Sequence, residues 1–379
     1  MRERLVVIGG DAAGMSAASQ ARRLKGPDAL EIVAFERGHH ASYSACGIPY
    51  WVAGDVDDPE QLVARTPEEH RARHIDLRMR TEVTEIDVAG GRVRSRRLPD
   101  GQEVCTGFDK LVIATGARPV RPPLPGIDAP GVHGVQTLDD GQALLDTLRG
   151  TKGRHAVVVG AGYIGVEMAE ALLRRDYEVT LLNRAPEPMT TLDPDMGKLV
   201  HEAVTGLGIE LVNEAEVTEI RTDGQGRARA VVTSEAEYPA DVVVLGIGVR
   251  PEAELAEAAG LPVGDFGGIL TDQAMRVRGQ SAIWAAATAW RCWTWSPAAS
   301  GTSRSAPTPT SRARSSAPTW AAVTRPSPAS SARPSARSAT WRSPGPDSWR
   351  RRPARPASSS SRRPWRRPAA PGTSPGPPR

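Results

Sequence analysis

The sequence predicts an α/β chain in which two units, each alternating parallel strands with helices, precede an unfolded tail. Three observations carry that prediction. An apolar run, Arg4 to Ile8, breaks into G-G-D-A-A-G and then into helical composition, Met15 to Leu24. A second apolar run, Ala156 to Val159, breaks into G-A-G-Y-I-G, Gly160 to Gly165, and again into a helical stretch, Val166 to Arg174. From Ala289 onward there is no Leu, Ile, Phe, Tyr, Met, Lys or Glu, and Val323 is the one branched aliphatic residue. A segment with so little to bury cannot offset its ordering entropy, so disorder is expected there.

A strand, glycine turn and helix aims backbone N–H groups at a pyrophosphate. Gly9 and Gly14 hold the outer places of the G-x-G-x-x-G pattern, and Asp11 stands at the middle one. The next apolar run, Glu31 to Phe35, ends in Glu36, 22 positions after Gly14. A carboxylate there accepts from ribose hydroxyls; the plainer alternative is an exposed charge at a strand end. Thr66-Pro67-Glu68-Glu69 has a capping pattern and opens a solvated helix, Thr66 to His74. Alternation over Thr81 to Val88 and Arg92 to Arg97 predicts a meander, and the buried strand Leu111 to Ala114 ends in Thr115-Gly116.

All three glycines of the second motif are present, followed by a strand, Glu178 to Leu182. At its end, 18 positions after Gly165, Asn183 and Arg184 stand in place of an acid. Arg184 is either a partner for a 2′-phosphate, which admits NADPH, or a surface charge. Asp241 to Leu245 is a further buried strand, running into G-I-G-V-R-P, Gly246 to Pro251. Two Rossmann-like, three-layer ββα nucleotide-binding domains followed by a disordered Arg/Pro/Ser-rich tail account for this order.

The formal charge of +4 hides two opposite parts. From Ala289 on there are 17 arginines and one acid, Asp347, whereas residues 1–288 hold 31 basic and 43 acidic residues. The basic balance therefore belongs to the tail. No run of 18 apolar residues is present to span a bilayer. Met1 to Gly10 leads straight into a strand without a signal region, which predicts a cytoplasmic protein. Three cysteines, Cys46, Cys105 and Cys292, have no metal-type spacing, and neither a metal site nor a disulfide framework is expected.

Cys46 lies in S-Y-S-A-C-G-I-P-Y, Ser42 to Tyr50, directly before Gly47 and a Pro49 suited to the first turn of a helix. A thiol at a helix N-terminus is expected to ionise readily and act as a nucleophile. A lone cysteine is otherwise a small core residue.

Taken together, residues 1 to about 286 resemble the pyridine nucleotide-disulfide oxidoreductases, in particular the single-cysteine branch of coenzyme A disulfide reductase, NADH oxidase and persulfide reductase. The resemblance implies an FAD-binding domain over 1–115 and 246–288 and an NAD(P)H-binding domain over 116–245. It implies that Gly9, Gly14, Glu36, Val83, Thr115 and Gly116 bind FAD, and that Gly160, Gly162, Tyr163, Gly165 and Arg184 hold NADPH or NADH, with Tyr163 covering the flavin. Cys46 would be the redox centre, alternating between thiolate and a mixed disulfide or sulfenic acid. Gln20, Arg23 and Ser42 match positions that contact coenzyme A in the disulfide reductases, whereas Ala45 replaces an asparagine of the best-defined member. His39 and His40 are read as loop residues. A water-forming NADH oxidase using a Cys46 sulfenate is the alternative within the family.

The family also implies a homodimer built on an interface domain that residues 289–379 do not resemble. Read one base earlier, with third bases chosen freely, the ten residues from Ala287 become G-D-C-V-A-V-L-D-L-V. Trp320 to Arg342 likewise become 23 residues of restored apolar periodicity that resemble the start of that domain. The expectation is a one-base shift of frame near Ala286, which leaves Thr288 where the family has a flavin-binding aspartate and makes this chain a fragment. A basic tail with aromatics on a nucleotide-binding body is also what a single-strand nucleic-acid arm would look like; the shifted frame accounts for the same residues more fully.

Overall fold

The computed structural model describes residues 2–292, with backbone alone for 289–292. The expectations about the tail beyond Cys292, its disorder and its nucleic-acid alternative included, lie outside the described residues. Seven α-helices occur among the described residues: α1 Ala12–Leu24, α2 Ile48–Ala53, α3 Pro67–Arg71, α4 Leu138–Gly150, α5 Tyr163–Leu173, α6 Pro194–Gly206 and α7 Glu254–Ala258.

The first sheet runs in the order Ile283–Ala285, Lys110–Ile113, Glu3–Ile8, Leu30–Phe35, Asp76–Arg78, every neighbour parallel. Strands covered on both faces must be apolar throughout, because successive side chains point to opposite sides. Leu5 and Val7 pack with Ala17, Ala18 and Ala21 of α1. Val6 and Ile8 face the other way, against Val83, Ile86 and Val93 of an antiparallel sheet formed by Thr81–Asp87, Arg92–Arg97 and Glu103–Gly107.

The second sheet repeats the plan in the order Glu210–Val212, Glu178–Leu182, His155–Val159, Val242–Leu245, Val132–Gly134, again all parallel. Val158 and Val244 meet α5 through Met168 and Leu172. Val157 and Val243 meet Ile220 and Val231 of the antiparallel sheet Val217–Thr222, Ala228–Thr233, Glu237–Pro239. Two three-layer ββα units are therefore present, as the two glycine motifs predict.

Two connections were not legible in the sequence. The returns after Thr115-Gly116 and after Gly246 form one antiparallel ribbon, Ala117–Pro119 against Val249–Pro251. Helix α2 buries Ile48, Trp51 and Val52 among the apolar side chains of α4 and α5. The segment that follows Cys46 is thus cored with the second sheet's helices. Boundaries differ slightly from expectation: α1 begins at Ala12 and α5 at Tyr163. The expected solvated helix Thr66 to His74 shortens to α3, opened by a Thr66–Glu69 capping box, and is not solvated all round, because His70 is only 1% exposed.

Candidate active site

Both glycine motifs sit at the carboxyl edge of a parallel sheet, where α/β folds bind ligands. Strands Glu3–Ile8, Leu30–Phe35 and Lys110–Ile113 lie side by side, which brings Gly9, Glu36 and Thr115 to one edge. Gly9 has φ +109°, and a Cβ there would sit 2.2 Å from the Ala114 carbonyl oxygen; Gly14 would meet the Gly9 oxygen at 2.0 Å. These two positions need glycine for turn and packing. The space beside Gly116 is open, and Thr115 Oγ1 donates to the Glu252 carbonyl at 2.5 Å. Val83 is buried on the facing antiparallel sheet.

The Glu36 carboxylate accepts from the Gly10 amide at 2.7 Å and the Gly38 amide at 2.6 Å. Burial raises its pKa against the pull of those two donors and of Arg37. Beside it a cavity of about 290 Å³ is lined by Tyr43, Arg118, Gln136, Thr137 and Asp139 among others. Asp139 was missed by sequence reading; its Oδ1 lies 3.0 Å from His39 Nδ1 and 3.6 Å from His40 Nδ1, tying α4 to the loop that follows Glu36. Arg37 pairs with Glu252 at 2.8 Å, so the second return loop is also fastened to this strand end.

The second edge holds Gly160, Asn183 and Gly246 side by side. A Cβ on Gly165 would lie 1.8 Å from the Gly160 oxygen, whereas one on Gly162 would meet nothing nearer than 3.8 Å. Gly162 therefore leaves room for a phosphate to approach the backbone at the start of α5. Tyr163, first in that helix, is exposed. Arg184 is exposed and makes no hydrogen bond or ion pair among the described residues, while Asn183 is buried and bonded to the Ala185 carbonyl and to Asn213.

Cys46 is exposed in a 3₁₀ turn, Ala45–Gly47, that feeds α2 with Pro49 in its first turn. The first amide donors of this turn are already taken, Gly47 N–H by the Ser44 carbonyl and Ile48 N–H by the Ala45 carbonyl. Exposure and loop placement, more than free helix donors, are what the fold offers this sulfur. The loop is fastened to the first glycine turn: Ser42 N–H donates to the Gly10 carbonyl at 3.1 Å and Tyr43 N–H to Asp11 Oδ1 at 3.2 Å. Burial pushes the Asp11 carboxyl up to about 6, with Glu36 adding to the rise and the Tyr43 amide opposing it. On its other side the loop pairs with residues 62–64, through Ser44 N–H to the Leu62 carbonyl and Ala64 N–H to the Ser42 carbonyl, both 2.8 Å.

Gln20 and Arg23, three apart on one face of α1, are half-buried and exposed respectively. Arg65, not singled out by sequence, reaches Ser19 Oγ of the same helix at 3.5 Å. Among the described residues no group of three or more His, Cys, Asp or Glu is placed to hold a metal ion, and no helix is long and apolar enough to cross a membrane.

The profile of the pyridine nucleotide-disulphide oxidoreductases matches residues 3–303. The chain belongs to that family. Among relatives in it, an NADH oxidase of Methanocaldococcus jannaschii is 35% identical over 265 residues, 69% of this chain and 58% of its own length. An NAD(P)H coenzyme A polysulfide/persulfide reductase of Pyrococcus horikoshii is 35% identical over 279 residues, 73% of this chain and 60% of its own. The structure of an NAD-dependent persulfide reductase from A. fulgidus superposes with a TM-score of 0.71 at 37% identity, covering 75% of this chain and 52% of that one. The chain thus spans little more than half the length of the relatives it matches.

Proposed function

We propose that this chain is the nucleotide-binding part of an FAD-dependent NAD(P)H oxidoreductase that reduces a disulfide or persulfide of coenzyme A type through Cys46. The observation that carries the reading is the fastening of the exposed Cys46 loop to the first glycine turn, at Gly10 and Asp11. The names of the relatives, persulfide reductase and coenzyme A polysulfide/persulfide reductase among them, support it. Residues 1–115 with 246–288 hold FAD in this reading, and 116–245 hold the nicotinamide nucleotide.

The residues fit both groups. Glu36, held by two amides, has lone pairs left for ribose hydroxyls, and the cavity beside it and the open space at Gly116 leave room for a nucleotide. Gly9 and Gly14 shape the turn, α1 aims its first amides at a pyrophosphate, and Val83 walls the site from the antiparallel sheet. Gly160, Gly162 and Gly165 do the same for the second nucleotide, Tyr163 is exposed at the start of α5, and the exposed Arg184 guanidinium, unpaired among the described residues, suits a 2′-phosphate, which favours NADPH.

FAD, when bound, supplies the two-electron relay from NAD(P)H to sulfur. The Cys46 thiolate attacks one sulfur of the substrate disulfide, forming a mixed disulfide and releasing one thiolate. Two electrons and a proton then free the second thiol and restore the Cys46 thiolate. Arg23 and Arg65 on and beside α1 offer guanidinium groups to the phosphates of a coenzyme-type thiol, and Gln20 on the same helix offers a side-chain amide.

The test compares the chain as given with a frame-restored chain, both loaded with FAD. Disulfide-dependent NADPH oxidation and a long-wavelength thiolate-to-flavin band are expected in the restored chain, and both vanish in Cys46→Ser. Equal disulfide turnover by Cys46→Ser would refute the role of the cysteine. The relative named NADH oxidase favours a second reading, in which Cys46 cycles through a sulfenate; oxygen uptake without added disulfide distinguishes it.

A further inference from the structure

The Cys46 loop contains one non-glycine residue in the left-handed region, Ser42 at φ +51°. Non-glycine residues persist there only where their surroundings over-determine them. The Ser42 amide and carbonyl are both bonded, to Gly10 and Ala64. Its hydroxyl lies 2.9 Å from Nε2 of His70, which comes from α3 and is 1% exposed. The other ring nitrogen of His70, Nδ1, is buried without a hydrogen-bond partner.

That pairing decides the proton's place. A neutral imidazole carries one N–H, and a proton on Nδ1 would be an orphaned buried donor, the rarest and costliest arrangement for a polar group. With the proton on Nε2, the donor is satisfied by Ser42 Oγ and only a lone pair is left unpaired. Burial, aided by Arg65 and Arg73, keeps the ring neutral by lowering its pKa to about 4, and Glu69 opposes this weakly. Ser42 Oγ then accepts from His70, and its own hydroxyl hydrogen is free to donate away from the core.

We propose that His70 is a positioning residue that holds Ser42 as an outward hydrogen-bond donor, four residues before Cys46, for an oxygen acceptor on the incoming thiol or disulfide, such as the amide or phosphate oxygen of a coenzyme-type arm. The inference rests on Cys46 being the nucleophile. It gives His70, far from Cys46 in sequence and read as part of a solvated helix, a reason to be buried and neutral.

The test uses the reduced full chain without added nicotinamide nucleotide and follows mixed-disulfide formation at Cys46 by peptide mass mapping. The probes are coenzyme A disulfide, rich in oxygen acceptors, and cystamine, which has none. Ser42→Ala and His70→Phe are each expected to slow the reaction with coenzyme A disulfide about tenfold, the size of one net hydrogen bond. The double variant is expected to be no slower than either single one, and cystamine rates to stay within twofold of the parent. His70→Gln, whose side-chain amide can still donate, should recover most of the rate. Folding is checked by circular dichroism and by the melting temperature. Equal losses with both probes, additive losses in the double variant, or an unchanged His70→Phe would overturn the proposal. A parent chain whose Cys46 reacts with neither probe would instead overturn the redox reading on which it rests.

Discussion

Replacing Asp11 by Asn tests how far the first glycine turn is strained by its carboxylate. Asp11 stands where the pattern has a glycine, is largely buried, and faces Glu36. Its pKa of about 6 lies above the ordinary value of 3.8, so the fold binds this proton more tightly than the unfolded chain does. The sign follows from linkage: the native state takes up a proton between these values, and stability falls as pH rises from about 4 to about 6. A rise of that size corresponds to roughly 3 kcal/mol, at about 1.4 kcal/mol for each tenfold change in proton affinity, an upper bound that partial solvation reduces to on the order of 1–2 kcal/mol. Asn keeps an oxygen for the Tyr43 amide and carries no charge. Asp11→Asn should therefore equal the parent below pH 4 and exceed it by that amount at pH 8. Urea unfolding at five pH values reads the difference, provided the slope m is unchanged. A gap that does not grow with pH, or a variant weaker than the parent at pH 8, would refute the reasoning.

Trp51→Ala should cost on the order of 3–5 kcal/mol, since Trp51 is 4% exposed and fills the space against Gly141; denaturant unfolding measures it, and faster alkylation of Cys46 should accompany it. Arg184→Ala should weaken binding of 2′,5′-ADP about 10–100-fold, the range of a charge-assisted hydrogen bond, and leave 5′-ADP within twofold, as calorimetry would show. Ala287 has φ +68°, a conformation suited to glycine, which is the residue the shifted frame places there. Ala287→Gly is accordingly expected to raise stability by about 0.5–1 kcal/mol, and adding Thr288→Asp to tighten FAD retention on gel filtration; a destabilised Ala287→Gly would count against the frame shift.

Much of the architecture could be read in advance because its signals are local. Gly9, Gly14, Gly160 and Gly165 are dictated by turn and packing within a few residues of each strand end, and the apolar runs between them are continuous because both faces of each parallel strand are covered. That Glu36 and Arg184 lie just past strand ends could be read from spacing alone, since the strand after the first helix must end beside the glycine turn in any such unit. His70 escaped notice for the opposite reason. Flanked by Glu68, Glu69 and Arg71, it looks like one more polar position on a solvated helix, and nothing in its neighbours marks it as buried. Asp139 and Glu252 likewise bond to residues about 100 and 215 positions away.

The chain's order of residues by itself determined two Rossmann-like α/β units, their glycine turns and a cysteine in the loop after the first acidic strand end, because each depends on backbone geometry over short spans. Only the tertiary structure decided that Trp51 anchors the cysteine segment among the helices of the second sheet, that Gly10 and Asp11 fasten its loop, and that a buried imidazole orients Ser42. Those are contacts between surfaces brought together by folding, and their energy comes from burial and hydrogen-bond satisfaction that no local pattern encodes.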